Sequence, residues 1–347
     1  MAVGKICVDD TPEIANGCER RGVYETLGYV PRPKRSDLEL LRVAAELWDA
    51  EEHEIGYLAR LFAQTSLPYR DPGDVPAWGR RNGNLVLVVQ PGMTIDKDGV
   101  PRSIGYPFGT VPRLVLTWLS TEAVRTKSRD LVLGESLAEF MRSLELTPTG
   151  GRNGTITRLR RQMERLFQAT LSARWEGDAS REAGGRLNVA SSYDLWWTDN
   201  DPQQPALMPS VVRLSTEFFD EVTQHPVPLD FGALRALRGS SLRLDIYAWL
   251  TYRMSYLQRP TTVPWQSLRA QFGSDLADTK QGRGQFRRDF ERNLREVLLV
   301  YREAQVETSA SGVVLRPSLT HVPLKGTREF RTQLLRRYPH ESDARKG

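Results

Sequence analysis

A chain of 347 residues has room for two or three compact domains, each long enough to bury a core. With 39% hydrophobic and 26% charged residues, and no apolar run of membrane-spanning length, the composition is that of a soluble globular protein and not of a membrane-embedded one. The formal net charge of +5 and the isoelectric point near 9.2 favour an acidic partner only mildly, so the clustering of charge says more than its sum.

The opening residues lack a signal-peptide pattern, and a cytoplasmic location is expected. Cys7 and Cys18 have no metal-ligand spacing and read as free thiols in a reducing compartment, although they could pair in an oxidising one. Residues 1–36 close on Pro31, Arg32, Pro33, Lys34 and Arg35, which suits a disordered leader or an arm that touches phosphates.

Over 37–64 the apolar residues Leu38, Leu41, Ala45, Leu47 and Trp48, then Ile55, Leu58, Ala59 and Phe62, predict helix. Glu46, Asp49, Glu51, Glu52 and Glu54 make this stretch acidic, suited to protein contact more than to DNA. Residues 68–83 read as irregular, Leu85 to Val89 as a short buried strand, and Lys97, Asp98 and Gly99 as the turn of a hairpin.

Residues 105–171 organise the rest, because their periodicity predicts three successive helices. Thr110 is a candidate cap for the first, with Pro112 in its opening turn and Val111, Leu114, Val115, Trp118 and Leu119 on one face, so that it should be half buried. Ser136 and Glu139 fit a capping box ahead of Leu137, Phe140, Met141 and Leu144, and Pro148, Gly150 and Gly151 then break the chain. On the third helix Ile156, Leu159, Met163, Leu166 and Phe167 fall inward, with Arg158, Arg161 and Arg165 in a row opposite.

Arg152, Asn153, Thr155 and Thr157 stand at the start of that helix, where a recognition helix presents base-reading side chains. Arg160, near the apolar border, suits a phosphate contact or an internal partner. A charge row on a surface helix is as readily a solvated face. Here six arginines between 152 and 174 face one acid, Glu164, and arginine offers bidentate contact with phosphate or guanine.

After this helix, residues 171–175 and 186–197 predict two strands around a polar turn, the wing of a winged-helix domain. Arg174, Arg181 and Arg186 are then phosphate candidates, or the arginines of an ordinary surface hairpin. Residues 210–214 predict another strand and 217–223 a short helix, stopped by His225, Pro226 and Pro228, where a domain boundary is expected.

The same outline then repeats. Trp118 and Leu119 match Trp249 and Leu250, Leu137 matches Leu268, and Thr110 matches Ser241, all at a separation of 131 residues. Past a shorter inter-helix loop the separation is 127, which aligns Arg161 with Arg288, Glu164 with Glu291 and Arg165 with Arg292. Phe286, Phe290, Asn293, Leu294 and Val297 form the inner side of this second basic helix, and Arg288, Arg292 and Arg295 the outer. Lys280, Arg283, Gln285 and Arg287 lie towards its start. Asp289, Glu291 and Glu296 make it less purely basic, so a solvated face weighs more here. Residues 298–306 and 313–317 would be its wing, and the basic stretch from 325 onward reads as a docked helix or disorder.

The runs GYPFGTVPRLVLTWLSTEAVRTKSRDLVLGESLAEFMRSL and GGRNGTITRLRRQMERLF, with HPVPLD-x-x-ALRALRGSSLRLDIYAWLTYRM downstream, closely resemble the RepA-type replication initiators of bacterial plasmids over about residues 68–322. The resemblance implies two winged-helix domains that bind double-stranded DNA at repeated origin sites (iterons), open the duplex nearby and recruit the host initiator and replicative helicase. In related initiators a monomer opens the origin and a dimer represses the initiator's own gene.

The expected fold is therefore α+β: two tandem winged-helix domains, each a helix-turn-helix plus β-wing, at 67–214 and 215–325. A partly helical N-terminal extension spans 1–66 and a basic tail 326–347.

Reactive groups for an enzyme are not evident. There is no phosphate-binding G-x-x-x-x-G-K-[ST] loop, and His53, His225, His321 and His340 are scattered singly where a metal-dependent nickase needs paired histidines. A binding protein without catalytic residue, cofactor or metal is expected, with no membrane partner. Arg158, Arg161, Arg288 and Arg292 lead the contact candidates. The alternatives are a winged-helix repressor that does not open DNA and, less favoured, an origin-nicking enzyme.

Overall fold

The computed structural model describes residues 35–48, 54–176, 182–197, 202–204, 208–273 and 276–322. Residues 1–39 separate from the compact unit that begins at Leu40, and of them only 35–39 are described. Cys7, Cys18, His53, Arg181, His340 and the basic tail lie outside the described residues.

The order opens with α1 (Arg35–Trp48), β1 (Ile55–Ala59) and α2 (Arg60–Gln64), then β2 (Trp78–Asn82), β3 (Leu85–Gln90), β4 (Met93–Ile95) and β5 (Pro101–Ser103). The first half continues with α3 (Thr110–Thr126), β6 (Asp130–Val132), α4 (Leu137–Ser143), α5 (Thr155–Gln168), β7 (Thr170–Glu176), β8 (Glu182–Leu187), β9 (Ala190–Asp194) and β10 (Val211–Leu214). After α6 (Thr216–Gln224), β11 (Pro226–Asp230) and α7 (Phe231–Leu237) come α8 (Ser241–Met254), β12 (Thr261–Pro264), α9 (Trp265–Phe272), α10 (Lys280–Val300), β13 (Val306–Thr308) and β14 (Gly312–Leu315). With ten helices and several small sheets, all antiparallel among the described residues, the class is mixed α and β.

The internal repeat is visible in the topology. Helix, strand, two helices and two strands recur as α3, β6, α4, α5, β9, β10 and as α8, β12, α9, α10, β13, β14. The sheets have matching orders, β6-β10-β9 and β12-β14-β13, with the last strand in the middle. The caps also correspond, each one residue earlier than expected. Gly109 and Ser240 occupy the N-cap positions, and Thr110 and Ser241 are the first helical residues.

Gly109 has φ 79°, a left-handed conformation that a β-carbon penalises. The helix that follows is more deeply buried than its apolar face alone suggests, since Arg113, Thr117, Ser120 and Thr121 are buried too. The capping box forms in part. The Ser136 hydroxyl accepts from the Glu139 amide at 3.2 Å, while the Glu139 carboxylate accepts from the amide of Glu135 at 2.6 Å.

Several expectations from spacing are corrected. Residues 55–59 form a strand, not helix, pairing with β11 from Ile55 opposite Asp230 to Ala59 opposite Pro226. Their apolar spacing fits a helical face, but the tertiary partner decides. Pro226 and Pro228 sit on alternate positions of β11, which lies at the edge of a two-stranded sheet, where a missing N–H breaks no ladder. The strands that flank the polar turn after α5 are not the partners of β6. Strand β7 pairs with β3 and β8 in a sheet of order β2-β3-β7-β8, which includes β2 from the stretch read as irregular, and β9 and β10 return to β6. Downstream, α10 runs through Val300, so the strand expected from 298 begins only at Val306.

Both three-helix cores are apolar. The first is largely aliphatic around Val115, Leu119, Leu159, Met163 and Leu166, with Phe140 edge-on to Trp118 at 5.1 Å and stacked on Trp197 at 5.2 Å. The second links aromatic rings: Trp249 to Phe272 at 5.6 Å, Phe272 to Phe290 at 5.5 Å, and Phe290 to Phe286 at 5.7 Å. Between them Arg113 of α3 and Asp245 of α8 form a buried bidentate pair at 2.7 and 2.8 Å. Burial raises the Asp245 carboxyl above its ordinary range and the Arg113 guanidinium opposes that rise. Arg113 also donates to the carbonyls of Leu67 and Gly109, so its charge is compensated on several sides.

Candidate nucleic-acid interface

Helix α5 starts where the chain doubles back on itself. A β-carbon at Gly154, its N-cap, would sit 2.2 Å from the carbonyl oxygen of Thr149, so only glycine allows this crossing. The hydroxyl of Thr155 donates to the Thr147 carbonyl at 2.6 Å and accepts from the Thr149 amide at 2.8 Å. That of Thr157 donates to the Gly151 carbonyl at 2.9 Å. Both threonines are thus loop anchors and not the free base readers expected.

The outer row divides in two. Arg152, Asn153, Arg158 and Arg161 are exposed, and their side chains have no hydrogen bond or ion pair among the described residues. Arg165 does not belong with them. Only 14% of its side chain is exposed, and it donates to the carbonyl of Ile104 at 2.9 Å and to Asp71 at 3.0 Å, with its guanidinium 5.5 Å from the Phe108 ring. A β-carbon at Gly105 would lie 2.6 Å from this guanidinium, so the glycine makes room for it. Arg160, expected to meet either a phosphate or an internal partner, donates to the carbonyl of Trp197.

On the β7–β8 hairpin, Arg174 is exposed but paired with Glu176 at 2.6 Å, and Arg186 is exposed and unpaired among the described residues. Hydrogen bonds from Arg81 and Arg174 hold the Glu176 carboxyl below the usual range.

Helix α10 carries its basic row differently. Arg283 pairs with Asp278 at 2.9 Å, Arg287 with Glu291 at 2.8 Å and Arg292 with Asp289 at 2.7 Å. Arg288 donates to the Gln285 side chain at 2.7 Å, Gln285 donates to Asp289 at 2.8 Å, and Arg295 donates to the Glu291 carbonyl at 3.3 Å. The Arg287 guanidinium also lies 5.0 Å from the Trp265 ring. Lys280 is exposed and unpaired among the described residues. Thr279 caps the helix by accepting from the Gly282 amide at 3.0 Å.

Sequence reasoning missed Gln162. It is 3% exposed beside Arg161, and its side-chain oxygen accepts from the Phe108 amide at 2.7 Å. A polar residue between Arg161 and Met163, on the border of the buried stripe, is the signal that could have found it.

Among the described residues no cluster of three or more histidine, cysteine or acidic side chains could hold a metal ion, and no helix is long and apolar enough to cross a membrane. No curated protein and no solved structure matches the chain. Residues 106–266, from just ahead of α3 to the start of α9, match the family model described as plasmid encoded RepA protein. That stretch, a little under half of the chain, is thus similar to plasmid encoded RepA proteins.

Proposed function

We propose that the chain is a sequence-specific double-stranded DNA-binding initiator, in which two winged-helix units engage repeated sites of a plasmid origin. In this reading α5 and α10 are the helices presented to the major groove, and β9–β10 and β13–β14 are the wings. The observation that carries it is the unpaired arginine face of α5, formed by Arg158 and Arg161, with Arg152 and Asn153 of the preceding loop beside them. The repeated order of elements supports a second such unit around α10, with Lys280, Arg283, Gln285, Arg287, Arg288 and Arg292 on its outer side. Origin opening, contact with the host initiator and helicase, and a dimeric repressing form follow from the family resemblance.

DNase I footprinting on DNA flanking the chain's own gene, across a salt series, tests this. Protected repeats that weaken steeply with salt are expected, because phosphate contacts release counterions. An unprotected flank at low salt would overturn the reading. Permanganate reactivity of thymines near the repeats, with host factors present, is expected for an initiator and not for a simple repressor. Supercoiled origin plasmid incubated with a divalent metal is expected to remain unnicked.

A further inference from the structure

We propose that the concavity between α3, α5 and the start of α8 seats one backbone phosphate of duplex DNA, so that both halves of the protein hold the same phosphate. The proposal rests on the DNA-binding reading above and adds a specific contact to it. The concavity has an open volume of about 380 Å³, and no acidic side chain lines it among the described residues. Arg158 and Arg161 of α5, with Arg152 of the loop before it, form one wall, all three unpaired among the described residues.

Gln162 opens on the same space. Its oxygen accepts from the Phe108 amide, and its amide nitrogen, with no partner among the described residues, is a donor available to that space. The remaining walls are the starts of two long helices, at Thr110 in α3 and at Ser241 in α8. In α3 the first-turn amides have no intrahelical acceptor, and Gly109 at the cap has no side chain to satisfy them. Guanidinium forks, amide donors and the positive ends of two helix dipoles converge on one space, which matches the charge and acceptor geometry of a phosphodiester.

The test is Ser241→Glu in the full chain. It puts a carboxylate into the α8 wall, off the basic helix, at a helix start where glutamate is favourable to the fold. Binding to origin repeats and to unrelated duplex alike is expected to weaken about tenfold or more. The slope of log affinity against log salt should also become shallower by about 0.9, the value of one phosphate contact. Matching thermal melts of the variant and the wild-type chain verify folding. Wild-type affinity for Ser241→Glu, or a loss confined to origin repeats, overturns the phosphate seat while leaving the DNA-binding reading intact. A wild-type chain that binds no duplex overturns both.

Discussion

On α5 the guanidiniums of Arg158 and Arg161 end without a partner among the described residues, whereas on α10 those of Arg287 and Arg292 end on carboxylates one turn away. The two helices hold matching places in matching topologies, so the difference lies in side-chain wiring and not in fold. Exposed ion pairs of the α10 kind stabilise by only about 0 to 1 kcal/mol, so a phosphate can displace them at small cost. The lesson is that a row of arginines in sequence measures charge, while availability depends on where the neighbouring acids fall. The first half offers an open face, and the second a face that must exchange partners before it binds.

The largest expected effect tests whether the halves are built as equals. Arg113→Met strands Asp245 and is expected to lower the stability of the whole unit by about 3 to 5 kcal/mol in urea unfolding. Leu244 holds the equivalent place in α8, and Leu244→Met should cost less than about 1.5 kcal/mol. Equal losses would contradict the asymmetry of the core.

Next comes DNA binding. Arg161→Ala is expected to weaken duplex binding by about 1.5 to 3 kcal/mol, the range for hydrogen bonds to charged groups, on all sequences alike. Arg292→Ala should cost under about 1 kcal/mol, because Asp289 already holds that guanidinium. Fluorescence anisotropy on footprinted and scrambled duplexes separates the two, and the reverse ranking would break the comparison.

Smaller still, Ser136→Ala removes from α4 a side-chain cap that α9 lacks, and about 1 kcal/mol of stability should go with it in urea or thermal melts. The finest adjustment is Asp289→Asn, which frees Arg292 on α10. Stability should move by no more than about 0.5 kcal/mol, and the salt slope should steepen by up to about 0.9 if the released arginine reaches a phosphate.

Local periodicity made the helices legible. Ile156, Leu159, Met163, Leu166 and Phe167 define the buried side of α5 as their spacing requires, and the repeat at 131 residues extends to the caps. Distant partners were not legible. Arg165 shares a row with Arg158 and Arg161, yet Asp71 and the Ile104 carbonyl, far away in sequence, draw its side chain inward. Ile55 to Ala59 has helical spacing, and only β11 makes it a strand. The hairpin after α5 mimics a wing in order and composition, but β3 claims it. Thr155 and Thr157 looked free because the loop they fasten closes over only six to eight residues by way of glycine turns that spacing does not describe.

The pairing of β1 with β11 bears on synthesis as well as on the finished fold. Strand β1 leaves the ribosome about 170 residues ahead of its partner. At roughly 5 to 20 residues per second it waits on the order of ten to thirty seconds with an unsatisfied edge. During that interval a nascent chain exposes Leu58 and the ring of Phe62, both destined for the interior, as a natural landing place for a chaperone.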